Sequence, residues 1–122
     1  MTGRETPVMQ IRKTYTEVSP ELLYAEIRDF TLKQGASMGE NKMDTYTLPD
    51  ESASFITRGT LTFNIKDKAG NMEKECLRAH IVGMARGETK LMIDIDEKLF
   101  PPEKLADLQA DLYFIFGSYE EK

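Results

Sequence analysis

The chain has one histidine, His80, and one cysteine, Cys76, and these are the side chains best suited to move a proton or attack an electrophile near neutral pH. A histidine acting as general base or metal ligand needs an acceptor to orient its ring, and Asp94 and Glu75 are the residues that could supply one. The plainer expectation is a solvated His80 beside a carboxylate on the wet face of a strand. Asp94, Asp96 and Glu97 form an acidic run that could attract a hard cation. Calcium, however, takes roughly six to eight oxygens, usually from a dedicated loop, and one strand face offers too few. Cys76 is expected on the same outer face as His80. A reactive thiolate needs a cationic or helix-N-terminal setting, which the sequence does not supply. There is no GxSxG, HExxH, phosphate-binding loop or dinucleotide fingerprint. The expectation is no catalytic residue, no metal site and no cofactor.

The elements that must position these residues are read from periodicity. Residues 7–16 carry β-branched and aromatic residues in rough alternation, a strand pattern. A helix over 19–34 follows, with Ser19 as N-cap, Pro20 at the first helical position, Glu21 in the first turn and Gly35 as the stop. Leu23, Ile27 and Phe30 form its apolar face. Residues 36–44 show no period and are expected to be a loop before a short strand, TYTL, that ends at Pro49 and a PDES turn. The stretch 53–67 alternates cleanly, with Phe55, Thr57, Gly59, Leu61, Phe63 and Ile65 on one face, as in a half-buried antiparallel strand. Gly59 is expected to mark a bulge or bend. A DKAGN turn leads to a strand over 73–86, and residues 89–96 form the last strand.

The hairpin at Arg86-Gly87-Glu88 sets which side chains meet. A register that pairs His80 with Asp94 and Arg78 with Asp96 keeps Leu77, Ala79, Ile81, Leu91, Ile93 and Ile95 together inside. A slip of one residue would bury Arg78 at a cost of several kcal/mol (order of magnitude), against roughly 0.2–1 kcal/mol for an exposed cross-strand charge pair.

The final helix, expected over 102–119, is unusual. At about 100° per residue, Leu105, Leu108, Leu112, Ile115, Phe116 and Tyr119 make a normal core stripe. A second surface carries Ala106, Ala110, Tyr113, Phe114 and Gly117, leaving a narrow polar strip of Lys104, Asp107, Asp111 and Ser118. A helix lying on a sheet and otherwise facing water needs an apolar stripe of little more than ~100°, so something besides the sheet is expected to cover this one. Three coverings are open: helix 19–34, a ligand cavity between helix and sheet, or a second copy of the chain.

Length and charge bound the rest. A chain of 122 residues is expected to be one domain, with residues 1–6 a flexible lead-in. Its net charge of -5, with basic residues scattered among acids, argues against a nucleic-acid or anionic-membrane partner. No apolar run has the length of a membrane span. MTGRETPVMQ lacks an apolar leader segment, and the lone Cys76 builds no disulfide framework, so a cytoplasmic location is expected.

The expected fold class is α+β, a curved antiparallel sheet packed against a long C-terminal helix in the order β-α-β-β-β-β-α. SPELLYAEIRDF, SFITRGTLTFNI, LMIDID and PPEKLADLQADLYFIF together resemble the helix-grip fold of the START and pollen-allergen lipid-binding superfamily. The order is also similar to one unit of the TATA-box-binding fold. The helix-grip resemblance implies a non-enzymatic module that holds a small apolar or aromatic ligand between sheet and final helix. The candidate walls are Phe55, Leu61 and Phe63 from the sheet and Tyr113 and Phe114 from the helix. The alternative is a homodimeric interaction domain with the final helix as interface. A third reading is a cyclase- or hydrolase-like enzyme, for which the inward-facing positions offer only Thr57 and a tyrosine.

Overall fold

The computed structural model describes residues 8–47, 55–66, 72–84 and 87–121. Strand β1 (Val8–Thr16) is followed by helix α1 (Pro20–Lys33), strands β2 (Ser37–Thr47), β3 (Phe55–Lys66), β4 (Glu73–Met84) and β5 (Glu88–Asp96), and helix α2 (Pro102–Phe116). A short 3-10 turn, Gly117–Tyr119, ends the described chain. The strands form one five-stranded antiparallel sheet in the order β1-β5-β4-β3-β2. The α+β architecture and the element order match the expectation. The lead-in 1–6 and the PDES and DKAGN turns lie outside the described residues.

Local signals explain the helices. Ser19 Oγ accepts the Leu22 N–H at 3.2 Å and Pro20 opens α1, satisfying a donor that has no partner within the helix. Gly35 follows at φ +95°, a conformation that suits glycine. At the other end of the chain, the carbonyl of Asp96 accepts from Leu99 and Phe100 at 3.1 and 2.8 Å. Its carboxylate accepts from the Lys98 N–H at 3.0 Å. One residue expected on the wet face thus fastens the turn into α2, and the fully buried Phe100 anchors it.

Both helices lie on the same face of the sheet. Leu61, Phe63, Leu77, Ala79, Ile81, Leu91, Ile93 and Ile95 share one core with Leu23 and Ile27 of α1 and Leu105, Leu108, Leu112 and Phe116 of α2. Tyr15 of β1 meets Phe116 edge-on, with ring centroids 5.9 Å apart. The N-terminal end of α1 presses on β4, where a Cβ at Gly83 would run into the Pro20 ring. Neither α1 nor α2 lies against the opposite face of the sheet, and its residues Arg78, His80, Val82 and Met84 are half-buried while their inward neighbours are sealed.

Four details depart from the sequence reading. The β4–β5 hairpin keeps the expected faces but pivots one residue earlier: Arg78 lies opposite Asp94, and His80 opposite Met92. Gly87, at φ +96°, closes its N–H on Met84 O at 2.9 Å; a hairpin loop that ends on a left-handed glycine sets its register by that residue. Cys76 is buried rather than on the outer face. The β3–β4 register steps from Phe63↔Leu77 to Asn64↔Glu75, so Cys76 is the extra residue of a bulge, which turns it inward beside Leu77. Gly59 carries no bulge, since its pairing is continuous with both neighbours; a Cβ there would stand 2.9 Å from the Met43 methyl and 3.4 Å from the Tyr24 ring. Residues 37–44, expected as a loop, belong to one strand with 45–47, where the short strand TYTL was expected. As an edge strand, exposed over much of both faces and broken in register between Met38 and Asn41, β2 has no reason to alternate.

Candidate interaction surfaces

The five residues expected to wall a ligand cavity are not brought together. Leu61 and Phe63 are fully buried in the core, packed among the residues of α1 and α2. Phe55 is exposed at the start of β3, where it borders an open groove of about 390 Å³ with Val18, Pro20 and Thr57. Tyr113 and Phe114 are 74% and 87% exposed on α2, facing away from the sheet.

The sides of α2 are arranged in the reverse of the usual order. Two residues of its polar strip, Lys104 and Asp111, face α1, while Asp107 and Ser118 are exposed. Lys104 Nζ donates to the Gln34 carbonyl at 2.9 Å, and Asp111 stands against Glu26 of α1, holding that carboxyl up at about 7. The hydrogen bond to Asp111 is the largest cause, followed by burial and the charges of Asp111 and Asp29, with Lys33 opposing. Asp111 Oδ2 is buried without a donor; a proton held by Glu26 supplies one. Helix α1 therefore meets part of the strip that should have faced water. The side left to solvent carries Ala106, Asp107, Ala110, Tyr113 and Phe114.

Close packing shapes that outer side. The Tyr113 ring occupies the space a Cβ would need at Gly117, 2.8 Å from its Cδ1, so the ring lies down along the end of the helix. Beside it runs an open depression of about 710 Å³ lined by Ala110, Tyr113, Phe114, Gly117, Ser118 and Glu120. The segment after the helix is tied back to β1. Tyr15 and Glu120 form an antiparallel bridge, the Glu121 N–H donates to Thr14 O at 2.7 Å, and Lys13 pairs with Glu120 at 3.0 Å. Burial and the Glu120 charge push the Tyr15 hydroxyl up to about 12.

The groups with chemical potential are placed without a reactive arrangement. Burial pushes the Cys76 thiol up to about 11, the opposite of what a nucleophile needs. Asp94 accepts from Gln10 at 2.7 Å, and Arg78 grips Glu75 through two bonds of 3.0 and 2.9 Å. Among the described residues no group of histidine, cysteine and carboxylate side chains is set to hold a metal ion, and no helix is long and apolar enough to cross a membrane.

Sequence reasoning missed one gathering. Arg12, Arg58 and Lys90 are far apart in the chain, and only the strand order brings them, with His80, around one concavity of about 670 Å³ on the open sheet face. The signal was the outward phase of each residue on its strand, which becomes a cluster once the order β1-β5-β4-β3 is known. Compared with known protein families, curated proteins and solved structures, the chain matches none of them.

Proposed function

We propose that this chain is a protein-interaction domain that forms a homodimer through the outward side of α2. The observation that carries the reading is the exposure of Tyr113 and Phe114, adjacent rings on a side bordered by Ala106 and Ala110. Single exposed apolar residues are normal, but a contiguous aromatic patch marks a contact surface. Covering a ring of this kind contributes about 2–3 kcal/mol, and a two-fold contact counts each ring twice.

The side is self-complementary in pattern. With two α2 helices antiparallel and centred on Ala110, Phe114 of each copy lies over Ala106 of the other, a large knob over a small residue. Tyr113 of each copy then reaches Asp107 of the other with its hydroxyl. That match favours a second copy over an unrelated surface. The reading of a ligand held between sheet and helix has less support, because Leu61, Phe63, Leu105, Leu108 and Leu112 are buried against one another in that space.

Size-exclusion chromatography with light scattering tests the proposal. The expected result is a dimer mass for the wild type and a monomer mass for Phe114→Asp, with the same thermal midpoint as dilute wild type. A wild type that stays monomeric at every concentration, or a Phe114→Asp protein that stays dimeric, overturns it.

A further inference from the structure

The open face of the sheet carries a second, independent surface. Two rows of side chains cross it. In the first, Arg12 lies opposite Met92, Met92 opposite His80, and His80 opposite Thr60; in the second, Thr14, Lys90, Val82 and Arg58 follow one another across the same strands. These rows border the 670 Å³ concavity, whose floor includes Val82 and Met92 and whose end at β1 is closed by Glu120 and Glu121.

The charge around this concavity runs against that of the whole chain. The whole chain has a net charge of -5, yet the two rows from β1 to β3 hold three cations and no carboxylate. Among the described residues, Arg12, Arg58 and Lys90 form no ion pair; Arg12 uses only its Nε, on Gln10 at 2.7 Å. The nearby acids are engaged elsewhere: Asp94 with Gln10, Glu75 with Arg78, Asp44 with Lys42, and Glu120 with Lys13. Around the concavity the cations Arg12, Lys13, Arg58 and Lys90 outnumber the carboxylates Glu120 and Glu121, and that local surplus favours an anion.

The spacing suits a particular kind of anion. Diagonal neighbours on adjacent strands stand about 7–8 Å apart, so Arg12, Lys90, His80 and Arg58 make a zigzag across the face. With strands about 4.8 Å apart, Arg12 and Arg58 are ~14 Å apart across the strands and offset by two residues along them, ~16 Å in all. Alternate side chains of an extended chain repeat every ~6.8 Å, so carboxylates at positions i, i+2 and i+4 span ~14 Å and their side chains reach the rest. Residues between them would lie over Val82 and Met92 or point to water. Single-stranded nucleic acid has a comparable charge repeat, but it binds by stacking bases on aromatic rings, and among the described residues no phenylalanine, tyrosine or tryptophan lines this groove.

We propose that the open sheet face docks an extended acidic segment of a partner protein, laid across the strands with alternate carboxylates on Arg12, Lys90 and Arg58. The test is fluorescence anisotropy with a labelled peptide of alternating glutamate and valine, its glutamine counterpart, and a labelled oligothymidylate. Saturable binding of the glutamate peptide alone, weakened by added salt, is the expected result. Arg58→Glu with Lys90→Glu is expected to weaken it about tenfold or more while leaving the unfolding midpoint unchanged. If that pair unfolds the sheet, Arg58→Gln with Lys90→Gln carries the same comparison. Phe114→Asp should leave binding intact, which separates this surface from the α2 contact. No binding, equal binding of the glutamine peptide, undiminished binding by the folded charge variants, or tighter binding of oligothymidylate overturns the proposal.

Discussion

The two flanks of α2 have exchanged roles. The flank toward α1 carries Lys104 and Asp111, both held in polar contacts with that helix, while the flank toward solvent carries Tyr113 and Phe114. Had the sequence pattern alone decided, the aromatic flank would be covered and the charged one wet. The difference teaches that a helical wheel reports what a helix carries, whereas its neighbours decide what that helix must satisfy. Helix α1 ends with a bare carbonyl at Gln34 and brings an acid at Glu26, so the polar strip of α2 is the side it can use.

Substitutions can break or sharpen this contrast. The largest effect is expected on the sheet-facing side that both flanks share: Leu108→Ala, at a position with no exposure, should cost about 3 kcal/mol in urea denaturation. Next comes the seat of α1, which fixes the angle at which it meets α2. Gly83→Ala places a methyl group against the Pro20 ring and should cost about 1–3 kcal/mol by the same measurement. On the outer flank the expected change in fold stability is far smaller. Phe114→Asp should shift the urea-derived stability of the monomer by no more than about 0.5 kcal/mol, although it abolishes the proposed dimer; a large loss would mean the ring is part of the core.

The polar flank should show itself through pH. Glu26 titrates at about 7 in the folded protein against 4.5 ordinarily, so the folded state holds the extra proton between those values. The associated stabilisation is fully present below about 4.5 and is lost as pH rises through about 7. Thermal midpoints measured across this range should fall with rising pH in the wild type and fall less in Glu26→Gln, which keeps a neutral donor. Equal slopes for the two proteins would show that the Glu26 proton does not bridge the helices. The smallest signal is chemical: the Cys76 thiol, buried and held up at about 11, should resist maleimide in the native state and react once the protein is unfolded.

The parts of the fold that were legible in the sequence are those where one local rule dominates. Ser19-Pro20 marks a helix start by hydrogen bonding and fixed φ, and β3 and β5 alternate because one of their faces is sealed. The first part of edge strand β2, residues 37–44, was illegible because much of both faces is wet and its register breaks between Met38 and Asn41. Cys76 was misplaced because a bulge adds one residue to the phase, and nothing in CLRAHI announces it. The candidate surfaces were legible as residues but not as places. Tyr113 and Phe114 stood out at once, yet their neighbours depend on α1, and the Arg12, Lys90 and Arg58 cluster depends on strand order.

That strand order also bears on how the molecule comes into being. Strand β1 pairs only with β5 among the named strands, and Gln10 and Asp94, joined across that pair, stand 84 residues apart in sequence. On the ribosome β1 therefore emerges first and waits with its backbone donors on water until nearly the whole sheet has been synthesised. Closing so long a loop precedes any return from the contacts it makes, so the sheet is completed late and as a unit. The β2–β3–β4–β5 meander needs only nearest-neighbour pairing, whereas β1 needs β5 before it can join the sheet.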